Sequence, residues 1–438
     1  MKKYFFKEFS KKSGVLIPFS LNKNIPIKTK RIFLIYGNKN FIRGDHAHYK
    51  CKQFLVPVFG NMEIEYENND GKFKINLNHK NKKGILLKSK TWCKIKFKTK
   101  KCILMVFCDR EYEFNDYIEK YQDFLKIIKK KMNLLITGCC GHIGSYLAEN
   151  IHKIKKIKKT ILIDNLESNR FYSLFNLKEK NNLKFLIRDL KDPKSLDDLK
   201  NINFVIHLAS MTNAEKSFGK KDIMYENNIS CLKTIIKFCK RTKAKLIHIS
   251  STSVYGKQSK VVDENCEEKF LKPQSPYADI KLIEEKMLKK EKKNLKYNSF
   301  RFGTIAGVSK GIRFHTAVNK FCFNAAISEN INVYKTALNQ YRPYLSLKDA
   351  FKVFKFCIEK DFFHNDVFNA LSGNFTVNQI LNKIKKYKKK INVKLIYSPI
   401  MNQLSYHVSQ KKLNKHGLVL NCNIEKDIKD TIKLLRNI

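Results

Sequence analysis

At 438 residues the chain has room for two or three domains with their own cores, and 43% hydrophobic with 12% aromatic residues excludes wholesale disorder. Twelve cysteines occur without a Cys-x-x-Cys pair, which argues against a zinc site and a secreted disulfide scaffold. The formal net charge is +49, but its lysines are spread along the whole chain among Asn and Ile, so a compositional bias is read rather than a groove for a specific nucleic acid. No stretch approaches eighteen consecutive apolar residues, and the opening Met1-Lys2-Lys3-Tyr4-Phe5-Phe6-Lys7 is not followed by the apolar core of a signal peptide. No membrane association and a cytoplasmic location are therefore expected.

In chain order, the first segment alternates short apolar runs with turn residues: Arg31 to Tyr36, Gln53 to Val58, Met62 to Tyr66, Lys72 to Ile75, Gly84 to Leu87 and Cys102 to Phe107. Strands this closely spaced predict a β-sandwich or barrel. A helical pattern from Asp116 to Lys131, carrying Tyr117, Ile118, Tyr121, Phe124, Leu125 and Ile128, closes the segment and leads directly into the next. The densest chemistry is Arg43-Gly44-Asp45-His46-Ala47-His48, with Gln53 downstream. Two histidines at alternate strand positions share a face, so both can enter a barrel interior.

This stretch resembles the first cupin motif and, more narrowly, the dTDP-4-oxo-6-deoxyglucose 3,4-ketoisomerases, from Tyr36 through the histidines to Trp92 and Asp116-Tyr117-Ile118. The resemblance implies an all-β cupin jelly roll over residues 1–131, His46 and His48 as catalytic residues, and Tyr36, Arg43 and Trp92 as substrate contacts. Metal-binding cupins add a Glu and a third His, where this chain has Gln53 and Cys93. Two neutral histidines make a poor metal site, so no metal is expected. They make a reasonable acid/base pair: moving a ketone from C4 to C3 needs a base for the C3 proton, an enediol, and reprotonation at C4. Cys93 stands where the family has His, which leaves open a barrel that only binds sugar nucleotide or mediates dimerisation.

From Met132 the pattern changes. The apolar run Met132 to Thr137 feeds into Gly138-Cys139-Cys140-Gly141-His142-Ile143-Gly144, helical spacing follows at Ile143, Leu147, Ile151 and Ile154, and a second run, Thr160 to Ile163, ends in Asp164. Strand, glycine turn, helix, strand and acid in this order hold a dinucleotide: the turn approaches a pyrophosphate, the helix start offers N–H groups, and the carboxylate binds the adenosine ribose. Further runs ending at Asp189, Ala209 and Ser250 predict a doubly wound parallel sheet. Tyr277 and Lys281 share a helix face, so the ammonium is expected to lower the phenol's pKa and ready it for proton transfer.

With Ser251 and the serine cluster before Tyr277, residues 132–438 resemble the extended short-chain dehydrogenase/reductases, specifically the nucleotide-sugar epimerase/dehydratase family. The resemblance implies an α/β Rossmann unit with a small C-terminal substrate subdomain and Ser251, Tyr277 and Lys281 as catalytic residues. It also implies cofactor contacts from Gly138, Gly141, His142, Ile143, Gly144, Asp164, Asn165, Asp189, Leu190, Ala209 and Lys281. Arg342 falls where the family grips the substrate diphosphate. Asp164 would repel a 2′-phosphate, so NAD is the expected cofactor. The dehydratases' Asp-Glu pair is replaced by Thr252 and Ser253, which leaves epimerisation or ketoreduction. The whole chain then reads as a fusion acting on a nucleoside-diphosphate sugar for surface polysaccharide, expected as a homodimer.

Overall fold

The structure, a computed structural model, describes residues 3–21, 24–68, 71–128, 132–177, 182–212, 219–258, 260–397 and 406–435. The chain divides into two compact units, Met1–Lys130 and Lys131–Ile438.

The first unit is two five-stranded antiparallel sheets. One runs in the order Lys3–Phe5, Lys83–Leu87, Gln53–Phe59, Cys102–Cys108, Arg31–Gly37, and the other Tyr117–Ile118, Ile42–His48, Trp92–Phe97, Asn61–Asn68, Gly71–Asn78. Alternate residues from both, among them Leu55, Ile64, Leu77, Ile85, Ile95 and Leu104, fill the core between the sheets. The edge strand Arg31–Gly37 turns Arg31, Phe33 and Ile35 inward and leaves Ile32, Leu34 and Tyr36 exposed. The closing helix is shorter than its sequence pattern. Phe114–Asp116 is a single 3-10 turn, Tyr117–Ile118 pairs with Ala47 and His48 as a strand, and the helix covers Tyr121–Ile128, with residues 129–131 outside the described residues. Ladder hydrogen bonds to the neighbouring strand override the helical spacing there.

The second unit carries a seven-stranded parallel sheet in the order Leu183–Ile187, Ile157–Asp164, Met132–Thr137, Phe204–His207, Lys245–Ser251, Tyr297–Phe302, Asp366–Ala370. The central strands Met132–Thr137 and Phe204–His207 are near-continuous apolar runs because both faces are covered. Leu134 and Ile136 pack under helices His142–Asn150 and Leu347–Lys360, and Leu135 packs under Lys221–Thr242 and Pro276–Lys290. The chain reverses direction across the sheet between Met132–Thr137 and Phe204–His207, and ligands in such sheets settle at the carboxyl ends beside that switch. A smaller subdomain, with the three-stranded sheet Thr304–Ala306, Tyr341–Ser346, Gly373–Thr376 and its own apolar core, lies against the same end. Among the described residues no helix is long and apolar enough to cross a membrane.

Candidate active sites

Gly138 follows the first strand of the parallel sheet with φ +67°, and a Cβ there would come within 2.6 Å of the Ala209 nitrogen. Gly144, one turn into the helix that Gly141 caps, sits so close to the turn that a Cβ would stand 2.4 Å from the Gly138 carbonyl oxygen. Gly144→Ala is accordingly expected to push the turn away from the helix and destabilise this unit by about 1–3 kcal/mol, read as a lower urea midpoint. Asp164 ends the next strand and accepts from Cys140 N at 2.9 Å and Leu166 N at 3.0 Å. Its carboxylate therefore fixes the glycine turn, with lone pairs to spare for a ribose.

Among the remaining sequence-derived cofactor positions, Asn165 is half-buried and caps Glu167 N, while Asp189 caps Lys191 N at 2.8 Å. The Leu190 side chain is core, packed with Ile163 and Leu196, so only its backbone could meet a ligand. Ala209 N lies 3.4 Å from Thr137 Oγ1. His142 is buried and its Nε2 is held 2.7 Å from the Gly307 carbonyl. Burial pushes it down to about 3, so its side chain is a neutral structural tie while its backbone N–H stays at the helix start beside Ile143.

The strand Lys245–Ser251 delivers Ser251 to the carboxyl end, and Ser275 with Pro276 at the first turn starts the helix that brings in Tyr277 and Lys281. All three line one cavity of about 610 Å³, with Gly138, Gly141, His142, Ile143 and Gly144 on one wall and Arg342 and Lys320 on another. Asp164, Asn165, Asp189, Leu190 and Ala209 are at strand ends but outside that lining.

The electrostatics of the trio correct one expectation. Burial holds the Tyr277 phenol above its ordinary value, and Lys281, Arg313 and a hydrogen bond with Ser251 only partly offset it. The reason lies below the pair: Lys281 Nζ donates to Glu284 Oε2 at 2.7 Å, and the same oxygen meets His248 Nε2 at 2.8 Å, so the ammonium's charge is largely spoken for. Burial, the largest single influence, opposes the Lys281 charge, but Glu284, Tyr277 and Glu285 together outweigh it and raise the pKa. Next to this network the Glu285 carboxylate takes Arg301 in a bidentate pair at 2.9 and 2.7 Å, which makes Arg301 part of the scaffold. Arg313, which sequence reasoning missed, also lines the cavity.

In the first unit, His46 and His48 face the same interior, their rings 5.1 Å apart and both within 5 Å of the Tyr117 ring. His48 is buried with Nδ1 3.2 Å from Asp116 Oδ2 and Nε2 3.2 Å from Gln53 Nε2. A proton on Nδ1 satisfies both contacts. His46 donates from Nδ1 to the Gly44 carbonyl at 3.0 Å, which leaves Nε2, with no hydrogen-bond partner among the described residues, available as a base. Desolvation first, then His46, pushes His48 down to about 4. Cys93 is in register with His46 and buried, its thiol pushed up to about 12, so it stays protonated.

Two substrate contacts expected here are corrected by the side of the sheet they occupy. Trp92 points to the outer face, packed with Ala47, Ile118 and Phe124 under the helix and donating Nε1 to Asp45 at 2.9 Å, because its neighbour Cys93 already faces inward. Tyr36 is 69% exposed on the outer face of the edge strand. Arg43 fares differently. A bulge at Gly44 (φ +82°) and Asp45 (φ +61°) resets the alternation and pairs Arg43 with the inward residue Ile95, so it shares the face of His46. Arg31 was not foreseen: it faces inward opposite Cys108, its Nη2 3.7 Å from that sulfur, and it interacts with Tyr117.

Burial also pushes His207 down to about 3. With His48 near 4 and His142 near 3, the unfolded chain binds protons at these histidines below about pH 6.5 that the folded chain refuses. Stability is fully present above that pH and falls as the pH drops toward 4. A melting temperature that stays level between about pH 7.5 and 4.5 would contradict this, and His48→Gln is expected to lessen the acid sensitivity of the first unit.

A doubly wound sheet with a glycine turn and a strand-end cavity defines the dinucleotide-fold class. The chain belongs to the NAD dependent epimerase/dehydratase family, which matches residues 134–370. Residues 1–129 match the WxcM-like, C-terminal family. Over 126 residues the chain is 31% identical to TDP-4-oxo-6-deoxy-alpha-D-glucose-3,4-oxoisomerase of Aneurinibacillus thermoaerophilus, covering 28% of this chain and 90% of that protein. It is 31% identical over 179 residues to dTDP-D-glucose 4,6-dehydratase of Dictyostelium discoideum, 37% of this chain and 41% of that one, so it spans less than half of this relative's length. A solved UDP-N-acetylglucosamine 4-epimerase from Methanobrevibacter ruminantium M1, in complex with UDP-N-acetylmuramic acid, superposes with a TM-score of 0.60 at 25% identity over 69% of this chain and 98% of that one.

Proposed function

We propose that the chain is a bifunctional nucleotide-sugar enzyme: residues 1–131 a cupin that moves a ketone between C4 and C3 of a 4-oxo-6-deoxyhexose nucleotide, and residues 132–438 an NAD-dependent epimerase. The observation that carries it is the meeting of Ser251, Tyr277 and Lys281 in one cavity that also holds the glycine turn and Arg342. The turn fits a dinucleotide. Its glycines leave no side chain in the way, the helix start offers free N–H groups, and Asp164 keeps lone pairs for a ribose. The glycine turn and Asp164 would hold such a cofactor, which would supply reversible hydride exchange with the sugar. Tyr277 takes the proton of the sugar hydroxyl, Ser251 holds that oxygen, Lys281 steadies the phenolate, and Arg342 grips the diphosphate.

In the cupin, His46 Nε2 takes the C3 proton, an enediol forms on the sugar, and a proton returns at C4. His48, held by Asp116 and Gln53, orients the pair, while Arg31 and Arg43 supply positive charge on the inner face. Absence of the dehydratases' acidic pair, with Thr252 Oγ1 donating to the Phe302 carbonyl at 3.2 Å, supports epimerisation or reduction over elimination. Of the two, epimerisation is the reading taken, because it would return the cofactor to its starting state within one turnover and needs no second reductant. The exposed apolar edge strand carrying Ile32, Leu34 and Tyr36 supports a homodimer, and the products would serve surface polysaccharide in the cytoplasm.

One observation favours a second reading. Cys93 is a neutral thiol where the related isomerases have His, consistent with a cupin that binds sugar nucleotide without turning it over. Incubating the whole protein with UDP- and dTDP-sugars, 4-oxo-6-deoxy forms included, and following products by NMR separates the two: C3 exchange on a 4-oxo sugar supports the isomerase, and its absence on every 4-oxo substrate overturns it.

A further inference from the structure

Two cations lining the cavity, Lys320 and Arg313, have no part in the chemistry above; Lys320 is exposed, whereas Arg313 is partly buried. Arg313 lies on the loop between Thr304–Ala306 and Ala317–Ala326, and that loop is docked on the glycine turn. Gly311 N donates to Ser145 Oγ at 2.9 Å, Ser309 Oγ to the His142 carbonyl at 2.9 Å, and His142 Nε2 to the Gly307 carbonyl at 2.7 Å. The approach is so close that a Cβ on Gly311 would meet the Cys140 carbonyl oxygen at 2.3 Å. The Arg313 carbonyl is itself tied by Asn319 Nδ2 at 3.1 Å, so the guanidinium leaves the loop at a fixed point.

That point is over the start of the cofactor helix. A Cβ built on Gly141 would lie 3.6 Å from Arg313 Nη2. Nη1 meets Thr212 Oγ1, while Nε is fully buried with no hydrogen-bond partner, although the side chain as a whole is partly open to the cavity. Among the described residues no carboxylate pairs with it, and the cavity lining contains no Asp or Glu. Arg170 repels it, and Tyr277 and Asp164 attract it. A buried cation of this kind calls for an anion. A dinucleotide held at its ribose by Asp164 and along the glycine turn would present its diphosphate at the helix start at Gly141, which Arg313 Nη2 approaches.

We propose that Arg313 is a clamp for the cofactor diphosphate, closing on it from the side opposite the glycine turn. This rests on the dinucleotide reading above. The clamp complements the uncharged N–H groups of the turn with a bidentate donor suited to a diphosphate, and it divides the cations of the cavity: Arg313 for the cofactor, Arg342 for the sugar nucleotide.

The test titrates nucleotide-free full-length protein with NADH by fluorescence, and with ADP-ribose and UDP by calorimetry. Arg313→Met is expected to weaken NADH and ADP-ribose by about thirty-fold or more while UDP stays within about twofold; Arg342→Met does the reverse. Arg313→Lys, which keeps the charge but loses the fork, is expected to weaken NADH by about five- to tenfold and stands in if the methionine variant fails to fold. If Arg313→Met binds NADH like wild type, or loses UDP and keeps NADH, the clamp is wrong. If wild type binds no NADH, the dinucleotide reading fails and takes the clamp with it.

Discussion

Tyr277→Phe is expected to cut turnover of the sugar nucleotide by about a thousand-fold while NADH still binds with near wild-type affinity. The change deletes one hydroxyl at the cavity surface. It leaves the glycine turn, Asp164 and the Lys281–Glu284–His248 network in place. Since burial raises the phenol rather than lowering it, the proton transfer needs help when substrate is bound, and the acid limb of the pH profile should lie on the alkaline side of neutrality. Stopped-flow absorbance at the nicotinamide band, alongside fluorescence binding, checks both parts. A variant that retains more than about a tenth of wild-type turnover would remove Tyr277 from the chemistry.

The second large effect is expected in the cupin. His46→Asn should lower deuterium exchange at C3 of a 4-oxo-6-deoxy sugar nucleotide by at least about a hundred-fold, with NADH binding unchanged. His46 is the sharper choice because its Nε2 has no hydrogen-bond partner among the described residues, whereas both ring nitrogens of His48 are engaged by Asp116 and Gln53. His48→Asn should also end exchange, through the loss of that held ring beside Tyr117. Exchange surviving in both variants would place the base elsewhere, with Arg31 and Tyr117 the next groups on that face.

Much of the second unit was legible because a parallel sheet writes itself plainly. Strands covered on both faces, such as Met132–Thr137 and Phe204–His207, are nearly continuous apolar runs, and the glycine turn at the end of Met132–Thr137 and the helix carrying Tyr277 and Lys281 both come to the carboxyl end of the sheet by topology. The cupin was harder. In a two-faced sheet the side of each residue depends on register, and the bulge at Gly44 and Asp45 moved Arg43 to the inner face in a way that simple alternation would deny. Trp92 and Tyr36 were assigned by resemblance and lie on outer faces. Arg313 could not have been found by periodicity, since it sits in an irregular loop whose place is set by Gly311 and Ser309 against residues more than 160 positions earlier. Glu284 was hidden differently: one of three acids on a lysine-rich helix, it matters because His248 and Lys281 converge on it.

The central claim is that one chain carries two chemistries on the same kind of substrate. Its most direct test incubates the intact protein with dTDP-4-oxo-6-deoxyglucose in deuterated buffer and follows the sugar by NMR, with the nicotinamide absorbance recorded on the same sample. The account predicts deuterium at C3 and a 3-oxo product, abolished by His46→Asn but not by Tyr277→Phe, with no net change in nicotinamide absorbance. No exchange in wild type on this or any other 4-oxo sugar nucleotide would contradict the claim and leave the cupin as a binding module beside a single enzyme.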